Sequence, residues 1–200
     1  FLQGLTMGLT YVAPIGMQNL FVINSALTNK RKRALLTALI VIFFDITLSL
    51  ACFFGIGTIM QKFKWLQMVI LCVGSLIVIY IGISLLRAKT QDLEKDQPTM
   101  SIKKTISSAC VVTWFNPQAI IDGTMMLGAF HVTLAAGQET PFITGVACAS
   151  FSWFIGLTFL ISLISSKFNA KVMRWINIVC GVIIIGYGIK LFVSFVQMLL

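Results

Sequence analysis

Residues 3–28 read QGLTMGLTYVAPIGMQNLFVINSALT, a run of 26 residues without a charged side chain. A helix needs about 20 mostly apolar residues to cross the hydrocarbon core of a bilayer. The rest of the chain has the same character, because 58% of its residues are hydrophobic and 10% are charged, with a mean hydropathy of +0.96. Soluble globular domains carry about 25% charged residues. The composition therefore excludes a soluble domain and indicates a membrane protein.

Runs poor in charge divide the 200 residues into six predicted membrane spans. Runs of this length favour helices, because a helix satisfies its own backbone hydrogen bonds inside hydrocarbon and the runs lack the alternation of barrel strands. We therefore predict an all-α membrane protein with six transmembrane helices. The predicted spans are residues 3–28, 34–60, 65–86, 105–130, 141–166 and 172–198.

The basic residues are concentrated in three of the loops between these spans. The chain has 15 Lys and Arg against 6 Asp and Glu, a net charge of +9. The loops after spans 1, 3 and 5 hold twelve of the basic residues, and the loops after spans 2 and 4 hold two. Because Lys and Arg are retained on the cytoplasmic side, both termini are expected to face outward. Topology then explains the net charge, and no nucleic-acid partner is expected.

The longest loop, residues 87–104, separates two sets of three predicted spans. With three spans on each side, the second half enters the membrane in the opposite sense, so a duplication would be an inverted repeat. We predict two such repeats, residues 1–86 and 105–200, joined by a cytoplasmic linker in one membrane domain. The pairs that match at a spacing of 103 residues are Thr10 with Thr113, Tyr11 with Trp114, Pro14 with Pro117 and Asn19 with Asp122.

Pro14 and Pro117 lie inside the first and fourth predicted spans. Proline has no N–H and its ring clashes with the carbonyl four residues earlier, so it kinks or breaks a helix. Unpaired backbone groups at membrane depth are tolerated only against protein or a water-filled cavity, and paired broken helices form the substrate site of inverted-repeat transporters. We therefore expect broken helices beside a cavity, with Gly16 and Asn116 at the breaks. An ordinary kink is the alternative at either proline taken alone.

Two carboxylates lie inside predicted spans, Asp45 in the second and Asp122 in the fourth. A central Asp costs about 2.5–3.5 kcal/mol on insertion scales, so neither is expected for packing alone. Lys190 lies near the end of its span, where it can reach the interface. The expected partner of the carboxylates is therefore a cationic ligand, a cation or a proton, and aspartates that only join helices are the alternative. Weaker candidates for the cavity lining, which could equally bond between helices, are Gln18 with Asn19, Thr113 with Asn116, and Tyr80 with Tyr187.

The other chemistry-bearing residues do not form an enzyme motif. The five cysteines lie singly without a C-x-x-C pair, and the chain has one histidine, His131, so no disulfide framework, metal site or cofactor is expected. No serine nucleophile or zinc-protease motif occurs. A channel or metal-cation exporter stays open, although divalent-metal sites usually carry more than two carboxylates or histidines at helical spacing. Tryptophans near predicted span ends are expected to be interfacial anchors: Trp65, Trp153 and Trp175.

Residues 13–19, APIGMQN, and residues 114–119, WFNPQA, together with Asp122, resemble the lysine/arginine exporter family of the LysE type. The likeness covers nearly the whole chain. It implies a bacterial inner-membrane secondary transporter that exports an amino acid, typically a basic one, driven by the proton motive force. Related branches export neutral amino acids and typically have a second proline and an asparagine after the glycine of helix 1. Residues 14–19 are closer to the basic branch, although Met17 departs from its usual small residue.

The resemblance and the residue patterns together define the expected site. The candidate residues for binding the substrate and the coupling ion are Asp45, Asp122, Gln18, Asn19, Asn116 and Thr113. Broken-helix backbone is expected at Pro14, Gly16 and Pro117. The expected partners are a cationic amino acid such as lysine or arginine, protons and the lipid bilayer, and a homodimer is an open alternative to a monomer.

Overall fold

All of the regular structure that the computed structural model describes, in residues 1–55, 62–87, 101–135, 137–165 and 170–199, is helical. The all-α prediction is thus confirmed for these ranges. The helices are α1 (Leu2–Val12), α2 (Met17–Thr28), α3 (Arg31–Phe53), α4 (Lys64–Arg87), α5 (Ile102–Trp114), α6 (Pro117–Gly123), α7 (Ala129–Thr133), α8 (Glu139–Ser165) and α9 (Ala170–Leu199), with a π-helical segment, Thr124–Gly128, between α6 and α7.

Three helices of the described ranges are long and apolar enough to cross a membrane. They are α3, residues Glu139–Ile164 of α8 and residues Ile178–Leu199 of α9, and α4 contains a shorter apolar stretch, Leu71–Ile83. The membrane character predicted from composition agrees with these helices. The end of the predicted second span and most of the predicted linker, residues 56–60 and 88–100, lie outside the described residues.

The helices of the two chain halves pack against each other. Helix α1 lies on α8, α3 contacts both α8 and α5, and α4 runs along α9. One buried cluster is shared by α2, α3 and α8 and includes Val22, Val41 and Phe154. Large apolar side chains such as Leu76 of α4 and Val182 of α9 are exposed, as expected where helices face lipid.

Glycines allow α1 and α8 to approach closely. A Cβ added at Gly4 would lie 1.9 Å from the carbonyl oxygen of Phe142, and one at Gly145 would lie 2.3 Å from the carbonyl oxygen of Phe1. Helices in membranes associate through packing at small residues of this kind, because lipid gives no hydrophobic drive between them. This contact fixes α1, and with it the start of the segment between α1 and α2, residues 13–16, against the second half of the chain.

Candidate functional site

Asp45 lies on α3 with its side chain fully buried. Its Oδ1 accepts a hydrogen bond from Gln18 Nε2 at 3.1 Å, and its Oδ2 accepts one from Ser150 Oγ at 2.5 Å. Both donors are neutral. They orient the carboxylate, but they do not balance its negative charge.

Gln18 connects this carboxylate to a third helix. Its Nε2 also donates to Thr113 Oγ1 at 3.0 Å, and Thr113 is fully buried on α5. One amide therefore uses both of its N–H bonds to reach α3 and α5 from α2. Three of the predicted site residues, Gln18, Asp45 and Thr113, thus form a single cluster. We call these three residues and Ser150 the Asp45 cluster.

A gap of four residues, 13–16, separates α1 from α2 and contains Pro14. Carbonyls at the end of a helix lack hydrogen-bond donors within the helix. Here the side chain of Asn19 is the donor. Its Nδ2 donates to the carbonyl oxygens of Val12, at 3.0 Å, and Pro14, at 2.7 Å. Its Oδ1 accepts from Nε1 of Trp153 on α8 at 2.8 Å, and Asn19 is only 3% exposed. The buried side-chain amide of Asn19, on α2, therefore bonds with the backbone on both sides of Ala13. Trp153 of α8 in turn bonds with this amide.

Open space lies beside the start of α2. Gly16 is the residue before this helix, and a Cβ added there would find no atom nearer than the carbonyl oxygen of Pro14, at 4.0 Å. Pro14 and Ile15 are exposed. Since the first N–H groups of a helix carry partial positive charge, the gap presents a weakly positive helix end two residues from Gln18.

The second proline occupies a different position. Pro117 is the first residue of α6, where a missing N–H costs no helical hydrogen bond. Asn116 precedes it, is half-buried, and makes no side-chain capping bond. Tyr11 of α1 donates from its hydroxyl to the carbonyl oxygen of Ala119 at 3.3 Å. This hydrogen bond joins the start of α6 to the end of α1, next to the gap at residues 13–16.

Asp122 lies near the end of α6 and is exposed, so it stands outside the buried Asp45 cluster. Its neighbour Gly123 packs on Cys52 and on the ring of Tyr11. Asp45 and Asp122 therefore differ in burial, and Asp122 also differs in burial from Asn19, its match in the first half.

Sequence reasoning missed two residues of this site, Ser150 and Trp153. Trp153 was predicted only as an interfacial anchor, and the structure adds that its indole is partly buried and donates to Asn19. The two residues are three positions apart and so share a face of α8. This spacing of a hydroxyl and an indole within one apolar helix was the available signal. In the described part of the chain, no group of three or more His, Cys, Asp or Glu residues could hold a metal ion.

A buried carboxylate among apolar helices is a feature of membrane transporters. The chain matches the LysE type translocator family over residues 9–194. It belongs to this family, which consists of transporters and not of enzymes.

Curated relatives support the same assignment. The arginine exporter protein ArgO of Klebsiella pneumoniae (strain 342) is 31% identical over 188 residues, which is 92% of this chain and 88% of that protein. ArgO of Salmonella schwarzengrund (strain CVM19633) has the same identity and coverage, and ArgO of Salmonella enteritidis PT4 (strain P125109) is 30% identical. No solved structure matches the chain.

Proposed function

We propose that this protein exports cationic amino acids, arginine or lysine, from the cytoplasm across the bacterial inner membrane. The observation that carries the proposal is Asp45, a fully buried carboxylate whose two hydrogen-bond donors are neutral. Such a charge inside a membrane protein marks a substrate or ion pathway, and its sign favours a cationic ligand. The relatives named arginine exporters agree with that sign.

The proposed architecture is six spans in two inverted repeats. Span 1 is α1 with α2, span 4 is α5 with α6 and α7, and the other spans are α3, α4, α8 and α9, with spans 1 and 4 broken near their prolines. A two-fold relation between the halves requires that contacts occur in pairs. Helix α1 packs on α8 as α5 packs on α3, and α2 touches α9 as α6 touches α4. These paired contacts support the repeat.

The proposed mechanism starts from a cavity beside the two breaks that is open to the cytoplasm. The side-chain cation of the substrate binds Asp45 or Asp122, and its carboxylate binds the N–H groups at the start of α2 and beside Pro117. Rocking of one repeat against the other then exposes the site to the outside. There a proton replaces the cation on the carboxylate, so the proton motive force drives export. Both termini face outward, with the basic loops in the cytoplasm.

Growth on toxic substrates tests the class of molecule exported. We expect expression of the protein to give resistance to canavanine, a toxic arginine analogue, and no resistance to toxic divalent metals. The matched control is Asp45→Asn, which keeps the size of the side chain and removes its charge. Metal resistance without canavanine resistance would contradict the proposal in favour of a metal-cation exporter, and resistance only to toxic neutral amino acids would favour the neutral branch.

Thr113→Val tests whether the Asp45 cluster is organised through Gln18. The substitution removes the acceptor of one Gln18 N–H bond, and an unpaired buried donor costs about 1–3 kcal/mol. We expect arginine efflux from preloaded cells to fall about tenfold, the equivalent of about 1.4 kcal/mol. Thr113→Ser keeps the hydroxyl and should retain most of the efflux. If Thr113→Val and Thr113→Ser exported arginine at the same rate, the Gln18 bond to Thr113 would not contribute to transport.

A further inference from the structure

Two side chains of α8 reach the first half of the chain from one face of the helix. Ser150 donates to Asp45, and Trp153, one turn later, donates to Asn19. On α2, Gln18 also donates to Asp45, and its neighbour Asn19, which accepts from Trp153, donates to the carbonyl oxygens of Val12 and Pro14. Helices α2 and α8 are therefore joined by two parallel links, one through Asp45 and one directly.

The direct link fixes the orientation of the Asn19 amide. An indole N–H can only donate, so Trp153 requires the oxygen of the amide to face α8. The NH2 group must then face the gap, where it donates to the carbonyls of Val12 and Pro14. In the flipped orientation, two donors would face each other at Trp153 and the amide oxygen would face two carbonyl oxygens. Trp153 thus excludes the orientation that would leave the gap without its hydrogen bonds.

We propose that Trp153 is a positioning residue for transport: by fixing the Asn19 amide, it holds the gap between α1 and α2 in its present conformation and ties that gap to α8. The inference rests on the proposed export function and deepens it. Helix α8 also carries Ser150, so one helix contacts both the Asp45 carboxylate and the Asn19 amide.

Trp153→Phe tests this role because it keeps an aromatic ring and removes the N–H donor. Trp175→Phe is the matched control, since Trp175 is 68% exposed on α9 and undergoes the same chemical change. In proteoliposomes, we expect the maximal rate of arginine efflux to fall about fivefold in Trp153→Phe, the loss of one buried hydrogen bond, with a smaller change in the arginine concentration that gives half of that rate. The control should match the wild type. A wild-type rate in Trp153→Phe would overturn the proposal.

A double-mutant cycle separates a role through Asn19 from a general packing role. Asn19→Ala removes the group on which Trp153 acts. Adding Trp153→Phe to Asn19→Ala should therefore lower the efflux rate no further. If the double variant lost efflux rate by the product of the two single-variant factors, the two residues would act independently and the proposal would be overturned.

A labelling experiment gives a readout that does not depend on transport. Ile15 lies in the gap and is 65% exposed, so the maleimide labelling of Ile15→Cys in membranes, measured above that of the parent protein, reports the conformation of the gap. Adding Trp153→Phe or Asn19→Ala should change the initial labelling rate about fivefold, whereas Trp175→Phe should not change it. An unchanged rate with both Trp153→Phe and Asn19→Ala would overturn the proposal. A changed rate in a protein that exports no arginine would overturn the proposed function and leave the positioning role standing.

Discussion

Asp45→Asn is expected to lower arginine efflux from preloaded cells by about 100-fold, because it removes the buried charge that we propose to bind the substrate cation. Loss of one partner of a buried, hydrogen-bonded charge pair costs about 2–5 kcal/mol, and each 1.36 kcal/mol is about a factor of ten in rate. Asp45→Glu keeps the charge and should retain part of the efflux. The measurement is the initial rate of release of labelled arginine, normalised to the amount of protein in the membrane.

The Asp45→Asn protein is expected to fold, since the amide fits the existing hydrogen bonds. Its oxygen can accept from Gln18 Nε2, and its NH2 group can donate to Ser150 Oγ. The Ser150 hydroxyl can then donate to the carbonyl oxygen of Val146, which lies 3.4 Å away. A loss of efflux would therefore report the charge and not the fold.

Asp122→Asn is a companion variant with a smaller expected effect, because Asp122 lies outside the buried Asp45 cluster. Its efflux should lie between those of the wild type and Asp45→Asn. Undiminished efflux in both Asp45→Asn and Asp122→Asn would contradict the transport mechanism.

Gly4→Ala is expected to destabilise the protein strongly, because the new methyl group would lie 1.9 Å from a backbone oxygen of α8, that of Phe142. Helices α1 and α8 must then separate, and overpacking of this kind costs about 1–3 kcal/mol, occasionally more. We expect a lower Tm in detergent, followed by tryptophan fluorescence, and less protein in the membrane.

The matched control lies on α8 itself. A Cβ at Gly156 would meet no atom within 4 Å, and alanine is favoured over glycine inside a helix by about 1 kcal/mol. Gly156→Ala should therefore leave the Tm unchanged or raise it. If Gly4→Ala and Gly156→Ala had the same Tm, the close contact of α1 with α8 would be refuted.

The central residues of the site were predictable because they are costly in a membrane. An Asp such as Asp45 in an apolar run requires a reason, and so do the adjacent amides Gln18 and Asn19 beside a proline. The structure places all three in or next to one buried network. For these three residues, the sequence therefore predicts which polar side chains lie close together in the candidate site.

Ser150 and Trp153 could not be found in this way. A serine is cheap inside a helix and a tryptophan is common near a membrane interface, so neither residue stands out by its type. What makes them part of the site is the rotation of α8 about its own axis, which directs both toward Asp45 and Asn19. That rotation is set by packing against α1 and α3, which a single helix sequence does not reveal.

The match between the two prolines predicted similar breaks, but their surroundings differ. Pro14 lies inside a four-residue gap, whereas Pro117 begins a short helix that continues into the π-helical segment Thr124–Gly128. Segments of π-helix have wider turns and are frequent at functional sites, and no residue pattern in this stretch predicts one. The exposure of Asp122 on this short helix, in contrast to the burial of Asn19, accordingly depends on tertiary structure.

Arginine flux under an imposed pH gradient tests the exchange of a cation for a proton at Asp45 most directly. Proteoliposomes loaded with labelled arginine are diluted into medium of the same pH or into more acidic medium, with the membrane potential clamped. The acidic medium should accelerate efflux through the wild-type protein and should not accelerate the residual efflux through Asp45→Asn. Equal acceleration in the two proteins, or wild-type efflux that is indifferent to the gradient, would contradict the account.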